Sequence, residues 1–253
     1  HEANEPRPRI VQLAGAEPRI LADGAQRSVA LGADVIDINM GCPAKKVRKK
    51  ACGSALMADP GLVREIFAAT TEAVGVPVSV KIRTGPNRGQ RNALQIAQLA
   101  QDAGLAMVAI HGRTRADMYK GEAEYATIAQ VKRELDIPVI ANGDIDSPAK
   151  AQRVLELTEA DALMMGRAAL GQPWLFGQIR AALDARPPQP APEAEELIPL
   201  ICEHALRVDE HYGSRLGLKV FRKHLAAWLQ HLNLAAETRV RLLRADSREE
   251  SLD

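Results

Sequence analysis

The chain has 253 residues, of which 46% are apolar and 26% charged, with 33 Lys or Arg against 32 Asp or Glu. This is ordinary for a globular protein of one large domain, alone or with a small second one. The near-zero net charge favours no class of partner, and no apolar run approaches the roughly 18 residues of a membrane helix. Three cysteines without a Cys-x-x-Cys pair argue against a disulfide framework and a metal site. In the absence of a signal-peptide pattern we expect a cytoplasmic protein.

Short β-rich runs alternate with amphipathic segments along most of the chain. The predicted strands are Ile10–Ala14, Val35–Met40, Val78–Arg83, Met107–Gly112, Val139–Asp144 and Ala162–Arg167. The predicted helices between them are Ala22–Gly32, Pro60–Val74, Ala93–Ala103 and Pro148–Leu157, the last with Ser147 as N-cap. The alternation predicts an α/β fold with a parallel sheet. Periodicity does not choose between an open doubly wound sheet and a (β/α)8 barrel.

A proline-rich connector, Arg186–Pro192, precedes a region of different character. Beyond it the strand pattern stops, and Glu195–His211 and Leu216–Leu232 show helical periodicity. We therefore predict an α/β domain over residues 1–185 and a small helical domain over residues 186–253.

Polar side chains stand near the carboxyl ends of five consecutive predicted strands, on one side of each strand. They are Gln12, Asp37, Asn39, Ser79, Lys81, Arg83, His111, Asn142 and Asp144. A single such residue is most often a satisfied core group. Five strands in register are harder to explain by packing, because an unpaired buried polar group costs about 1–3 kcal/mol. In a barrel these groups converge on one mouth, where active sites form.

Glycine turns follow the last two predicted strands, at Asn142-Gly143-Asp144 and at Gly166-Arg167. Glycine lets backbone N–H groups approach a ligand, and the loops after the last two strands of a barrel are the usual phosphate site. One such glycine can also end a strand for steric reasons. The pair together indicates a phosphorylated ligand.

Cys42 follows the second strand in a Gly-Cys-Pro turn at the same mouth. The commonest role of a cysteine is that of a small buried residue, and we assign Cys52 and Cys202 to it. At a polar mouth the Cys42 thiol can act as a general acid, or as a nucleophile beside a base. The sequence leaves both roles open.

Several strings of the chain resemble the tRNA-dihydrouridine synthases, particularly the bacterial B-type enzymes. They are Val11–Gly15, Asp37–Val47, Gly53–Met57, Lys81–Gly85, Ile110–Arg115, Ile140–Ile145 and Met165–Ala169. The most specific part is Asn-Met-Gly-Cys-Pro-Ala-Lys-Lys, which begins at Asn39. The resemblance implies a (β/α)8 TIM barrel followed by a small C-terminal helical domain, with FMN as cofactor, NADPH as reductant and uridine in tRNA as substrate.

The resemblance also implies roles for individual residues. Hydride would pass to C6 of uracil while Cys42 protonates C5 from the opposite side. Lys81, with Arg83 behind it, would stabilise anionic reduced flavin. The FMN contacts implied are Gln12, Lys81, His111, Asn142, Gly143, Asp144, Gly166 and Arg167.

The family opens with two further βα units that have no counterpart in this sequence. The chain begins at His1 rather than at methionine, and His1–Arg9 is polar and proline-bearing. We therefore expect the native N-terminus to lie upstream.

Basic residues near the mouth and in the tail are candidates for contacts with tRNA phosphates. They are Lys45, Lys46, Arg48, Lys49 and Lys50 beside the Cys42 turn, Arg113 and Arg115 after the fourth strand, and Arg215, Lys219, Arg222 and Lys223 on one helical face. A charge run alone is more often a solvated loop, but its place beside the candidate site favours RNA. Tyr119 and Tyr125 are the candidates for stacking on bases.

Two other functions fit part of this pattern. One is an FMN barrel oxidoreductase that acts on a free pyrimidine, and the other is a non-catalytic RNA-binding regulator. The basic residues favour the tRNA substrate, whose target base must leave its stack to be reduced. Intact Cys42, Lys81 and His111 favour an enzyme, and no obligate protein partner is evident.

Overall fold

The computed structural model describes residues 6–43, 52–187 and 189–245. The chain divides into two compact units. The first unit contains the residues up to Ile145 together with Arg153–Met164, and the second contains Asp146–Gln152 and the residues from Met165 onward. The boundary predicted near residue 185 therefore falls inside the second unit.

The strands of the described residues form one parallel sheet in simple chain order. They are β1 (Ile10–Leu13), β2 (Val35–Asn39), β3 (Val78–Arg83), β4 (Met107–His111), β5 (Val139–Asn142) and β6 (Ala162–Met164). A doubly wound sheet reverses its strand order at a switch point, whereas a barrel adds each strand beside the last. The fold is therefore α/β of the TIM-barrel type, and the order of the strands decides what periodicity left open.

All six predicted strands are present, and each begins at the predicted residue. Their central apolar residues, such as Val80 and Ile110, are fully buried. Five strands end one to three residues earlier than predicted, where the chain leaves the sheet at polar residues and glycines. The strand ends are thus the part of the sheet that hydrophobicity predicts least well.

Helices follow the strands of the sheet. They are α1 (Pro18–Ala30), α2 (Pro60–Ala73), α3 (Ala93–Asp102), α4 (Ala126–Glu134) and α5 (Pro148–Thr158), and the first four pack side by side in chain order. On α2 the buried face includes Val63, Ile66 and Phe67, each 0% exposed. Burial of such a side chain contributes about 1.5–3 kcal/mol.

One helix prediction needs correction, one helix was not predicted, and one cap is confirmed. Helix α1 begins at Pro18 rather than Ala22, because Glu17 precedes a proline that is preorganised for the first helical turn. Helix α4 was not predicted, since its nine residues give a short apolar pattern. Ser147 caps α5 as predicted, and its Oγ accepts from the Lys150 N–H at 3.3 Å.

The second unit is helical, as predicted. Its helices are α6 (Leu175–Leu183), α7 (Ala194–Tyr212), α8 (Ser214–Trp228) and α9 (Ala236–Arg244). Helix α7 starts at a capping box formed by Glu193 and Glu196, and α7 packs against α8 around Leu197, Phe221 and Leu225. Among the residues described, no helix combines the length and apolarity that crossing a bilayer requires.

Candidate active site

The carboxyl ends of β1, β2 and β3 carry a connected set of polar side chains. In the sheet register Gln12 lies opposite Asp37, and Asp37 opposite Ser79. Gln12 Nε2 donates to Asp37 Oδ2 at 2.6 Å, and Ser79 Oγ donates to Asp37 Oδ1 at 2.7 Å. Asn39 Nδ2 donates to Gln12 Oε1 at 2.7 Å. The strand-end residues of these three strands therefore converge on one side of the sheet, as predicted.

The backbone of Cys42 is held on both sides. Asn39 Oδ1 accepts from the N–H groups of Gly41 and Cys42 at 3.1 and 3.0 Å. Ser54 donates to the Cys42 carbonyl oxygen from its N–H at 3.1 Å and from its Oγ at 2.9 Å. The thiol itself is free, and the residue is half-buried. The role of Ser54 was missed because it returns to the site from twelve residues further along the chain.

Arg83, which ends β3, is 2% exposed and donates to three backbone carbonyl oxygens. Its Nε donates to the Gly41 carbonyl oxygen at 2.7 Å, and its Nη1 donates to those of Thr114 and Met118 at 3.0 and 2.8 Å. The guanidinium carbon lies 5.4 Å from the centroid of the Tyr119 ring, within cation–π range. Arg83 therefore ties the turn after β2 to the loop after β4.

Lys81 precedes it by two residues on the same face, and lies opposite Asn39 in the register. Its ammonium has no hydrogen bond or ion pair with any described residue. Burial and the positive charge of Arg83 lower the pKa of Lys81 to about 7, against the opposing effect of Asp37. A desolvated cation without a partner is unfavourable, so this position suits a ligand that brings acceptor atoms.

His111 ends β4, and is 8% exposed. Burial, followed by the positive charges of Lys81, Arg83 and Arg113, lowers its pKa to about 3. The imidazole is therefore neutral near pH 7. Arg113 Nη1 lies 3.4 Å from His111 Nε2. Because a guanidinium only donates, Nε2 is assigned as the acceptor and Nδ1 as the N–H.

Arg113 was predicted to contact RNA, and the structure corrects this prediction. The residue is 3% exposed, and its Nη1 and Nη2 pair with both carboxylate oxygens of Asp144 at 2.8 and 2.7 Å. It also donates to the carbonyl oxygens of Lys120 and Gly121. A buried guanidinium with these partners cannot reach a phosphate. The Asp144 carboxylate is committed to the same pair, so only its backbone remains for the predicted cofactor contact.

The turn at Gly143 packs closely against the imidazole. Gly143 has φ +127°, and a Cβ placed there would lie 3.0 Å from His111 Cδ2. Tyr125, predicted as a stacking residue, instead donates from its hydroxyl to the Gly143 carbonyl oxygen at 2.8 Å. The neighbouring Asn142 donates from Nδ2 to the Met164 carbonyl oxygen at 2.7 Å. Only glycine fits this turn without displacing the histidine.

Gly166 and Arg167, the other predicted phosphate contacts, belong to the second unit. Gly166 immediately precedes a 3-10 turn at Arg167–Ala169. Their role stays a prediction.

The candidate RNA contacts are distributed over several regions. Lys45, Lys46, Arg48, Lys49 and Lys50 lie outside the described residues, and Arg115 is half-buried after β4. In the second unit, Arg215 and Lys219 line an open hollow of about 430 Å³ together with Tyr212 and Leu216.

Two further tail residues differ from each other. Lys223 is exposed on α8, as predicted for a phosphate contact. Arg222 is half-buried, and its Nη2 donates to the Ala245 carbonyl oxygen at 2.7 Å. Helical spacing put all the basic residues on one face, but the Arg222 side chain turns towards the end of α9. The RNA contact of Arg222 stays a prediction.

A barrel-type sheet that gathers a free thiol, an ammonium and a neutral imidazole at its strand ends is characteristic of a barrel enzyme. The chain matches the dihydrouridine synthase (Dus) family over residues 1–253, and it belongs to that family of oxidoreductases. The predicted family resemblance is therefore confirmed.

Curated relatives cover most of the chain. The tRNA-dihydrouridine synthase B of Pseudomonas aeruginosa is 51% identical over 240 residues, which are 95% of this chain and 72% of that protein. The protein of the same name from Vibrio cholerae is 48% identical over 245 residues, 97% of this chain and 76% of its own length.

Solved structures show likeness of the fold alone. An N-succinyl Arg/Lys racemase from Bacillus cereus has a TM-score of 0.50 and 15% identity, over 70% of this chain and 42% of its own. A dipeptide epimerase from Enterococcus faecalis has a TM-score of 0.51 and 15% identity, over 70% of this chain and 43% of its own. The chain spans less than half the length of either structure.

Proposed function

We propose that this chain reduces uridine to 5,6-dihydrouridine in tRNA, with FMN as cofactor and NADPH as reductant. The family and the relatives named tRNA-dihydrouridine synthase B support the substrate. The observation that carries the proposal is the Lys81 ammonium, which has no partner among the described residues and lies on the strand beside the Cys42 turn.

The polar groups of the first unit fit the ring of a flavin. A reduced flavin carries negative charge, which an unpaired Lys81 ammonium stabilises. Neutral His111 offers an N–H without adding a second cation, since its pKa is about 3. Gln12 is bonded to Asp37 and Asn39, yet its amide keeps one N–H and one lone pair for a ligand. The FMN contacts predicted for Asn142, Gly143, the backbone of Asp144, Gly166 and Arg167 remain part of the proposal.

The reaction adds a hydride to C6 and a proton to C5 of uracil. FMN, when bound and reduced by NADPH, would supply the hydride. Cys42 donates the proton from its thiol as a general acid. Asn39 and Ser54 fix the peptide of Cys42, so the thiol starts from a defined backbone position.

Contacts with the tRNA backbone remain with the accessible basic residues. Of the predicted contacts, these are the exposed Arg215, Lys219 and Lys223 and the half-buried Arg115. Lys45, Lys46, Arg48, Lys49 and Lys50 keep their predicted role. Phosphate contacts predict that tRNA affinity falls steeply with salt, and that each charge removed reduces the slope by about one.

The decisive experiment compares Cys42→Ala with Cys202→Ala, a half-buried cysteine of α7. Cys42→Ala should retain flavin absorbance and NADPH oxidation but lose dihydrouridine formation, measured by mass spectrometry of tRNA nucleosides. Cys202→Ala should keep all three. Normal turnover by Cys42→Ala contradicts the assigned proton donor, and a colourless protein without NADPH oxidation contradicts the flavin.

A further inference from the structure

We infer that Asp37 is a positioning residue, which orients two side-chain amides so that an acceptor oxygen meets the backbone of Cys42. The chain of hydrogen bonds runs from Asp37 through Gln12 and Asn39 to the N–H groups of Gly41 and Cys42. The inference rests on the proposed function only in that Cys42 is the group positioned.

The two ends of this series of hydrogen bonds, Asp37 and the Gly41–Cys42 backbone, have opposite and fixed hydrogen-bonding character. The Asp37 carboxylate, when ionised, can only accept, and the N–H groups of Gly41 and Cys42 can only donate. The amides of Gln12 and Asn39 between them can turn either way, since each has one accepting and one donating end. Only one orientation of both amides satisfies both ends.

The observed bonds follow that orientation. Gln12 turns Nε2 to Asp37 at 2.6 Å, which leaves its Oε1 facing Asn39. Asn39 then donates from Nδ2 to that oxygen at 2.7 Å, which leaves its Oδ1 for the turn. If Gln12 were reversed, its Nε2 would face Asn39 Nδ2, and the turn would lose its acceptor or the pair would lose a bond.

The register of the sheet places the side chains of this hydrogen-bond series within reach of one another. Gln12 and Asp37 are Cα partners in adjacent parallel strands, so their side chains meet directly. Asn39 is two residues beyond Asp37 and therefore points to the same face. Ser79 donates to the second oxygen of Asp37 at 2.7 Å, and keeps the carboxylate in place without entering the chain.

The role assigned to Asp37 depends on its oxygen and not on its charge. Asp37→Asn keeps an oxygen for Gln12, because the Ser79 hydroxyl can accept from the new amide. Asp37→Leu removes the acceptor at similar size. Ser79→Ala is the matched control, since it removes the other hydrogen bond to the same carboxylate and keeps the bonds that run from Asp37 through Gln12 to Asn39.

The first measurement is amide hydrogen exchange by NMR, which needs neither flavin nor tRNA. Asp37→Leu should speed exchange at Gly41 and Cys42 on the order of tenfold, with the β3 amides of Val80 and Ile82 unchanged. Asp37→Asn and Ser79→Ala should exchange like the unaltered chain. If Asp37→Leu prevents folding, Gln12→Leu interrupts the same series of hydrogen bonds one residue nearer the turn. It should give the same increase in exchange at Gly41 and Cys42.

The second measurement is dihydrouridine formation, in which Asp37→Leu should lower kcat on the order of tenfold with KM unchanged. Unchanged exchange at Gly41 and Cys42 in Asp37→Leu would overturn the inference. The inference would also be overturned if Asp37→Asn were as impaired as Asp37→Leu, because the effect would then come from the charge. An equal effect of Ser79→Ala would overturn it too, because the effect would then come from packing around the carboxylate. If the protein does not form dihydrouridine, the exchange experiment still tests the role of Asp37. Failure of the proposed function is therefore distinguishable from failure of this inference.

Discussion

The two units of the chain differ in the kind of side chain that they bury. The first unit buries Arg83 and Arg113, at 2% and 3% exposure, and binds them to backbone carbonyl oxygens and to Asp144. The core of the second unit is apolar, and Trp228 Nε1 donates to His204 Nδ1 beside it at 3.1 Å. The first unit therefore has two bonded guanidinium groups buried beside its apolar core, whereas the core of the second unit is built from apolar side chains.

The largest effect should come from separating a buried charge from its partner. Asp144→Asn keeps a residue that tolerates the observed φ of +49°, but leaves Arg113 without its counterion. We expect a loss of about 3 kcal/mol in the free energy of unfolding, measured by circular dichroism in urea. The control is Glu156→Ala, which breaks the exposed pair with Arg153 and should cost under about 0.5 kcal/mol. Equal losses in both variants would contradict the importance of the buried pair, since both residues belong to the first unit.

The second unit should respond to the loss of apolar contacts instead. Leu225→Ala, at a residue 2% exposed, should cost about 2–3 kcal/mol. Leu216→Ala on the same helix, 52% exposed, should cost under about 0.5 kcal/mol. Both tryptophans, Trp174 and Trp228, belong to this unit, so tryptophan fluorescence follows its unfolding separately. A similar cost in the two variants contradicts the apolar core.

Each unit contains a histidine that folding keeps neutral, and acid should distinguish them. The pKa of His111 is lowered to about 3, and burial followed by the His224 charge lowers that of His204. Below an unfolded pKa of about 6.5 the unfolded chain gains protons first, so stability falls with pH from there towards the folded pKa.

Substitution separates the two contributions. His111→Gln should lessen the acid loss seen by circular dichroism, and His204→Gln the loss seen by tryptophan fluorescence. If each variant altered both signals alike, the two histidines would not report on separate units.

Lys81 should give the opposite dependence on pH. Its pKa is lowered to about 7 in the folded chain, against about 10.4 when unfolded. Between these values the unfolded chain binds more protons, so stability rises as the pH increases from about 7 to 10. Urea unfolding of Lys81→Met at about pH 7 and 9.5 should show a smaller rise. A rise equal to that of the unaltered chain would mean that Lys81 is not desolvated.

The sequence predicted the elements that rest on apolar periodicity. The six strands start where Val and Ile runs begin, and the polar groups at Gln12, Asp37 and Asn39 follow from strand alternation. It did not predict α4, whose apolar pattern is short, or the start of α1 at Pro18.

Periodicity could not predict the partners of side chains in loops. Arg113 was predicted as a surface cation, because no periodicity fixes a side chain once the strand has ended. Its burial depends on the loop that carries Lys120 and Gly121, and on Asp144 from the next strand's turn. The bond between Ser54 and Cys42 likewise joins positions with no local relation in the sequence.

That bond has a consequence for how related chains can vary. The backbone leaves Cys42 and is tied again to the same carbonyl oxygen by Ser54. The position of the Cys42 backbone therefore depends on its bonds to Asn39 and Ser54 and not on the number of residues between Cys42 and Ser54. We expect insertions or deletions between Cys42 and Ser54 to leave the peptide of Cys42 in place.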